Sequence, residues 1–343
     1  MVTGPGIELL NAFGPKQGGR LPGQFHNPEG LASDSRGRIL VADETNHRVQ
    51  RISPDGEPLW SLGAVGSDGR PRHGTAPGQF FMFRGIGVDA DDNLFIGDSW
   101  NNRVQKFDSG GSFRMMFGSY GNGPGQFGGA GPNGLAFDAD GHIYVSDTHT
   151  YLGGNNRIQK FDHRGRFVAA FGGHGERAGQ FAGRSPLRGR YGHETGRGAT
   201  SPEGPYGLAV GPASGDLYAS DTENNRIQVF DLQGNFQRSI GDGVIFQPRQ
   251  ICVDSRENIY AAGFHCPPDV GGIGPVVPVG PQHRFLWILS QNGDLLATIT
   301  ADDAEGLFDH LGGRHHAVAV SRADEGLVFI QAGHQILKFR VHW

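Results

Sequence analysis

A short unit that recurs along the chain constrains the fold more than any other feature of the sequence. Residues 132–147 predict a strand, a tight turn at 138–141 and a second strand that ends on an aspartate. Close copies occupy 28–43, 83–98 and 205–221, and weaker copies begin at 248 and 315. Units this small cannot bury a core alone, so we expect a repeat architecture in which neighbouring units pack together.

The segments between the copies extend each unit to a four-stranded sheet. This organisation predicts an all-β protein, a six-bladed β-propeller that forms a single domain over 1–343. A second marker, Gly-Gln-Phe or a looser form of it, gives the same number of units. The N-terminal strand is expected to complete the last blade, because closing the ring leaves no open sheet edge. The predicted blades are 28–63, 83–118, 132–172, 205–241, 248–300, and 313–343 together with 6–14.

Composition limits the location and the partners of the protein. The formal net charge of −5 gives no general attraction for nucleic acids or anionic membranes. No apolar run approaches the roughly 20 residues that cross a bilayer, and the N-terminus lacks the pattern of a secretory signal. Two cysteines, Cys252 and Cys266, do not make a disulfide scaffold. We therefore expect a soluble, cytoplasmic protein that binds neither membranes nor nucleic acid.

A motif of the form Asp-x-x-Asn-x-Arg-[Val/Ile]-Gln-x-Phe follows the second strand of several units, at 98–107 and 221–230 and, with Ile as the last residue, at 43–52. With the strand–turn–strand unit, it resembles the NHL repeat family over nearly the whole chain. A charged pair used once per blade indicates a structural tie, since a catalytic group is seldom repeated. The pairs are Asp43–Arg48, Asp98–Arg103, Asp147–Arg157 and Asp221–Arg226.

The long insertions all fall on one face of such a propeller, where binding and catalytic sites are commonly built. The residue before the Gly of each inner strand is expected to line the channel mouth on this face. These residues are Glu29, Arg84, Asn133, Tyr206, Arg249 and His316. Trp100, His149 and His265 are expected to surround them, at the tips of second strands. A concavity with these groups favours a small anionic or carbonyl-bearing ligand.

Two groups of propeller enzymes suggest cofactors. The NHL-type lyase that cleaves peptidyl-hydroxyglycine binds zinc through three inner-strand histidines, and His316 is the one similar residue here, with Tyr206 and Arg84 at the alternate positions. In calcium lactonases of gluconolactonase type, Glu and Asn occupy inner positions to which Glu29 and Asn133 are similar. A zinc or calcium ion is therefore a possible cofactor. The candidate metal ligands are His316, His265 and His149.

The ring of polar residues predicts acid–base chemistry. Arg84 and Arg249 are assigned to the anion or developing oxyanion of the substrate. His316 or Glu29 is assigned as the base, and Tyr206 as the acid or an orienting hydroxyl. The other predicted substrate contacts are Asn133, Trp100, His149 and His265. The predicted function is an enzyme of lyase, hydrolase or isomerase type that acts on a small anionic or carbonyl-bearing substrate.

Two alternatives stay open. The first is a non-catalytic scaffold that binds a protein partner through the Pro- and Gly-rich insertion 264–283. The second is a metal-dependent lactonase or lyase. RNA binding ranks last, because it favours a broad basic surface and this chain has only a local basic stretch at 184–197.

Overall fold

The computed structural model describes residues 5–129, 131–148, 155–181, 204–263, 284–300, 303–304 and 317–343. Over these residues the chain forms six antiparallel sheets, whose first strands pack against one another in a closed ring. This confirms the predicted all-β fold, a six-bladed propeller with four-stranded blades. The helical turns of the described ranges are 3₁₀ turns at Glu44–Asn46, Ser99–Asn101 and Thr222–Asn224, all too short to cross a membrane.

Each blade contains four strands, which follow one another from the channel outward. Blade 1 contains Pro28–Ser33, Ile39–Asp43, Arg48–Ile52 and Pro58–Val65, and blade 2 contains Gly85–Val88, Leu94–Asp98, Arg103–Phe107 and Phe113–Phe117. Blade 3 contains Leu135–Phe137, Ile143–Asp147, Arg157–Phe161 and Phe167–Gly172, and blade 4 contains Pro205–Val210, Leu217–Asp221, Arg226–Phe230 and Phe236–Ile240. Blade 5 contains Pro248–Val253, Ile259–Gly263, Arg284–Leu289 and Leu295–Thr300. Blade 6 contains Val318–Val320, Leu327–Ala332, Gln335–His342 and the N-terminal Gly6–Phe13.

The two ends of the chain close the ring. The N-terminal strand Gly6–Phe13 pairs antiparallel with Gln335–His342, the third strand of blade 6. This pairing confirms the predicted closure and satisfies backbone groups that would otherwise lie at an open edge. Blade 1 differs from the expectation at its outer edge, where the short strand Pro71–Arg72 pairs with the end of the fourth strand.

The core lies between the blades. Among the described residues, the buried apolar side chains form six clusters, one at each interface between neighbouring blades. The Phe of the Gly-Gln-Phe marker is fully buried in four of these clusters, and therefore anchors the loop that enters each blade. These residues are Phe25, Phe80, Phe127 and Phe181.

The repeated aspartate ties each blade to the loop before it. In blade 2, the buried Asp98 carboxylate accepts hydrogen bonds from Asn101 Nδ2, Arg103 Nε and Gln105 Nε2, at 2.8–3.1 Å. Arg103 and Gln105 also donate to the carbonyl oxygen of Gln79, in the loop that enters this blade. Side-chain clusters of the same kind surround Asp43, Asp147 and Asp221. The repeated Asp–Arg pair is therefore a structural tie, as its repetition indicated.

A glycine on the inner strand sets the distance between neighbouring blades. A Cβ atom on Gly85 would overlap the backbone carbonyl oxygen of Asn133 in the next blade. Asn133 is the residue directly before Gly134, the equivalent glycine of that blade. The same contact recurs at Gly30 with Arg84, at Gly134 with Tyr206 and at Gly207 with Arg249. Only glycine allows the inner strands to approach this closely. The contact also places the residue before each glycine at the same level around the channel.

Gly85→Ala tests this contact. We expect the substitution to destabilise the fold by about 3 kcal/mol, because the inner strands of blades 2 and 3 must move apart to admit the methyl group. Gly6→Ala is the matched control in an exposed strand, where the nearest atom to the added Cβ lies at 3.8 Å. The free energies of unfolding in urea measure both effects, and equal values for the two variants would contradict the close-contact account.

Candidate active site

A small polar cavity opens at the channel mouth, where the inner strands begin. Glu29, Arg84, Asn133 and Tyr206 line it, together with Gln250 from blade 5. Its volume is about 20 Å³, which has room for about one or two water molecules. A larger ligand must therefore lie over the mouth, with only a small polar group in the cavity.

The structure brings together five of the six residues predicted to ring the mouth. The side chains of Glu29, Asn133 and Tyr206 are buried, whereas Arg84 and Arg249 are partly exposed. The guanidinium of Arg249 lies 5.4 Å from the centroid of the Tyr206 ring. Two cations thus flank this concavity, and the catalytic roles assigned to its residues stay predictions.

Asn133 is held by neighbouring groups, Trp100 lies outside the cavity, and three predicted histidines are not described. The Asn133 amide donates to the carbonyl oxygen of Thr148 at 3.3 Å and accepts from Ser99 Oγ at 3.4 Å, so it binds neighbouring backbone and side-chain groups. Trp100 is 49% exposed and packs against Phe81, outside the cavity. The residues His316, His149 and His265 and the insertion 264–283 lie outside the described ranges, and their predicted roles stay predictions.

Glu44 is a site residue that the sequence reasoning missed. It begins the 3₁₀ turn after the second strand of blade 1, and its side chain is buried. One carboxylate oxygen lies 3.4 Å from Nε of Arg84, in the next blade. The other accepts a hydrogen bond of 2.8 Å from Nδ2 of Asn27, and this same nitrogen donates to Glu29 at 2.9 Å. A single amide therefore bridges two carboxyl groups at the mouth.

The pKa of Glu44 is raised to about 7. Burial is the largest cause, because it disfavours the charged carboxylate, and the negative charge of Glu29 acts in the same direction. Arg84 and Asn27 oppose the shift without cancelling it. A carboxyl group that titrates near neutral pH can accept and donate protons at that pH, which is the property of a general acid or base.

The sequence does carry a signal for Glu44. The residue directly after the repeated aspartate is a small hydroxyl residue in blades 2, 3 and 4, namely Ser99, Thr148 and Thr222. Ser99 and Thr222 donate to backbone carbonyl groups of the next blade, at 2.8 and 2.7 Å. In blade 1 this position reaches a charged side chain of the next blade instead. A departure from the repeat at a structurally equivalent position therefore identifies the residue.

Gln250 is a second departure from the repeat. It stands where the inner strands of blades 1 to 4 have glycine. Its Oε1 accepts from the backbone N–H of Leu31 at 3.2 Å and of Val318 at 3.3 Å, and its Nε2 donates to the Leu31 carbonyl at 2.6 Å. This side chain joins blade 5 to blades 6 and 1 and lines the cavity.

Asn27 is held in place by His334. The backbone of Asn27 has a φ of 56°, in the left-handed region, and its N–H donates to Nδ1 of His334 at 3.0 Å. Burial and the neighbouring His26 lower the pKa of His334, which favours the neutral ring that this hydrogen bond needs. The His334–Asn27 contact thereby positions the amide between Glu29 and Glu44.

The two carboxyl groups at the described part of the mouth are engaged by protein groups. A Glu29 oxygen and a Glu44 oxygen accept the Asn27 amide, and the other Glu44 oxygen faces Arg84. Within the described ranges, the one cluster of three residues that could hold a metal is Asp138, Asp140 and His142, in a first-to-second-strand turn away from the mouth. Asp138 there anchors its own turn through the N–H groups of Asp140 and His142.

Comparison with known sequences identifies the repeats. The sequence pattern of the NHL repeat matches residues 25–52, 130–161 and 204–230. Protein brain tumor of Drosophila melanogaster is 31% identical over 148 residues, which are 43% of this chain and 12% of that protein. Peptidylglycine alpha-amidating monooxygenase of Rattus norvegicus is 25% identical over 226 residues, 61% of this chain and 21% of that protein. The chain thus spans a small part of each of these relatives.

Comparison with solved structures shows the fold. A gluconolactonase from Xanthomonas campestris superposes with a TM-score of 0.58 at 16% identity, over 98% of this chain and 95% of that one. Virginiamycin B lyase from Staphylococcus aureus superposes with a TM-score of 0.54 at 13% identity, over 98% and 99% of the two chains. At these identities the likeness is one of fold alone.

The pH dependence of folding tests the environment of Glu44. A carboxyl with a raised pKa binds its proton more tightly in the folded state, so its contribution to stability decreases as the pH rises from about 4.5 to about 7. The free energy of unfolding of Glu44→Gln, taken relative to that of wild type, should therefore increase by on the order of 2 to 3 kcal/mol between pH 5 and pH 8. Urea unfolding at both pH values measures this difference. Glu57→Gln, on an exposed turn, is the control, and parallel pH profiles for wild type and Glu44→Gln would contradict the assignment.

Proposed function

Because this chain carries NHL repeats on a six-bladed propeller with an acid pair at its mouth, we propose that it is an enzyme whose proton-transfer group is Glu44. The observation that carries the proposal is the carboxyl of Glu44, buried beside Glu29 and Arg84 with a pKa of about 7. Burial also raises the pKa of the structural carboxyls Asp43, Asp98 and Asp147, but each of these is enclosed in its own blade tie, whereas Glu44 lies beside a second carboxyl and a partly exposed arginine of the next blade. Perturbed carboxyl groups in a concavity cluster at functional sites.

The cations at the mouth favour a small anionic or carbonyl-bearing substrate. Arg84 and Arg249 approach the concavity from blades 2 and 5, and each guanidinium can bind a carboxylate or a developing oxyanion. A substrate anion that pairs with Arg84 weakens the contact between Arg84 and Glu44. The pKa of Glu44 then rises further, so that the carboxyl becomes a stronger base in its deprotonated form.

The proposed chemistry begins with proton transfer next to a carbonyl group. The Glu44 carboxylate accepts a proton from the carbon beside the carbonyl, and the electron pair of the C–H bond moves to the carbonyl oxygen, which Arg84 or Arg249 stabilises. Returning the proton to another atom gives isomerisation, and expelling a leaving group from the next carbon gives a lyase reaction. If Glu44 instead accepts a proton from water, the attack on an ester or lactone carbonyl gives hydrolysis. Tyr206 is assigned as the hydroxyl that orients the substrate.

The fold is compatible with both reaction classes. A gluconolactonase and a virginiamycin B lyase share the propeller architecture, and one fold can host many chemistries at its loop-bearing face. The reaction class therefore has to be argued from the residues of this chain, which favour proton transfer.

A protein-binding scaffold is the second candidate function. The Pro- and Gly-rich insertion 264–283 is the segment that this candidate would use, and Leu21 and Tyr120, on loops that enter blades 1 and 3, are 65% and 62% exposed. This candidate accounts for the surface loops but gives no reason for a buried acid pair at the channel mouth.

Exchange of carbon-bound protons tests the enzymatic proposal. In D₂O, proton NMR follows loss of the α-protons of small keto acids such as pyruvate and 2-oxobutyrate, and a parallel assay follows hydrolysis of small lactones. We expect catalysis of at least one reaction, a rate that rises as Glu44 deprotonates near pH 7, and a loss of at least about 100-fold in Glu44→Gln.

Glu57→Gln controls for removal of a carboxylate outside the site. Rates in Glu44→Gln that equal those of wild type and of this control would exclude Glu44 as the proton-transfer group.

A further inference from the structure

Four ring side chains form a continuous row beside the channel mouth, between blades 1 and 2. Phe81 is at the centre, with ring centroids 4.6 Å from His73, 5.6 Å from Trp100 and 6.1 Å from His47. His47 and His73 also contact each other, at 5.6 Å. We call these four residues the aromatic shelf.

The aromatic shelf is continuous with the acid pair. Glu44 and His47 lie on the same turn of blade 1, and Phe81 and Arg84 lie on the same segment leading into blade 2. The contact of Glu44 with Arg84 and that of His47 with Phe81 therefore join the same two segments. A ligand bound at Arg84 would therefore lie next to the two segments that carry the shelf.

Two positions of the shelf depart from the repeat. In blades 2, 3 and 4 the residue equivalent to His47 is an asparagine in the left-handed region, and Asn102 and Asn225 hydrogen bond to the loop entering the next blade. The residue equivalent to Phe81, which donates its N–H to the repeated aspartate, is a glycine in blade 3, Gly128. At this boundary, rings replace the polar tie. A ring contact also occurs at the boundary of blades 6 and 1, where His26, the equivalent of Phe81, lies 4.7 Å from His334. Between blades 1 and 2 the contact extends to four rings.

The shelf presents ring faces to solvent, most of all at Trp100. Burial and the neighbouring His73 lower the pKa of His47, which favours its neutral form. Trp100 is 49% exposed, and one side of its indole packs on Phe81. An exposed indole beside a cationic group suits a ligand that combines a flat apolar part with an anion.

We propose that the substrate of this site is a carboxylate or carbonyl compound that carries an aromatic ring, with the ring stacked on the aromatic shelf and the polar group at Arg84. This inference rests on the proposed function, since it assigns the substrate class of the same site. The small volume of the cavity supports it, because the body of the ligand has to lie over the mouth. Recognition then divides between the charge of Arg84 and the face of Trp100.

Binding of acetate and phenylacetate separates the two contributions. Titrations followed by the indole N–H signals and the arginine Nε–H signals in ¹H–¹⁵N NMR spectra give both dissociation constants. We expect phenylacetate to bind at least about 10-fold more tightly than acetate and to shift the Trp100 indole signal.

Variants show which residue provides each contribution. In Trp100→Ala the ratio of the acetate to the phenylacetate dissociation constant should fall to about 2 or less, while Trp100→Phe retains part of the preference. Arg84→Gln should weaken both ligands. Trp343→Ala, which removes a Trp of similar exposure that packs on Arg256, is the control and should leave the ratio unchanged.

The outcomes distinguish the aromatic shelf from the anion site at Arg84. Equal affinities for the two carboxylates, or a preference for phenylacetate that Trp100→Ala retains, would overturn the aromatic shelf as a substrate site while leaving the anion site in place. If neither carboxylate binds and the Nε–H signal of Arg84 does not shift, the proposed anion site itself is overturned, and the aromatic shelf with it.

Discussion

The close contact between neighbouring inner strands sets the geometry on which the rest of the structure depends. Glycines at one repeat position let the backbone of each blade touch the carbonyl group of the next, from blade 1 to blade 5. This spacing leaves a narrow channel and places the residues before the glycines at one level around its mouth. The apolar clusters between the blades and the ties around the repeated aspartates hold these strands at that distance. The site is thus a by-product of how the ring is packed.

The proposed site lies where the repeat is broken. Repetition gives each structural position several independent examples within one chain, so an unusual residue stands out against its equivalents. Glu44 in place of Ser or Thr, Gln250 in place of Gly, and His47 in place of Asn all lie at or beside the channel mouth. Glu44 contacts an arginine of the next blade in place of a backbone carbonyl, Gln250 adds a side chain that contacts blades 1 and 6, and His47 contacts a ring in place of the loop backbone. Glu44 and His47 lie on blade 1 and Gln250 reaches it from blade 5, which supports a single site with a polar and an apolar half.

Much of the fold could be predicted from the sequence because its determinants are local and repeated. Strand–turn–strand units, Gly-Gln-Phe loops and the unpaired terminal strands give the propeller and its closure. The ring of residues before the glycines could be located in the same way, since position in a strand fixes level in the channel.

The content of the site was harder to predict. At the end of a second strand, the sequence reasoning selected the residue two places after the aspartate, such as Trp100. The 3₁₀ turn instead directs the residue one place after it, Glu44, towards the next blade. The contact of Asn27 with His334 joins opposite ends of the chain and exists only because the ring closes. Spacing within a repeat carries no information on such contacts. The predicted roles of His316, His149 and His265 fall outside the described residues and stay predictions.

The titration of the Glu44 carboxyl tests the central claim most directly. Carbon-13 NMR of the side-chain carboxyl groups, with the Glu44 signal assigned by its loss in Glu44→Gln, follows its protonation. The account predicts a midpoint near pH 7 in the wild type and a lower midpoint in Glu29→Gln, where the neighbouring negative charge is removed. A wild-type midpoint near the ordinary value of about 4.5 would contradict the account.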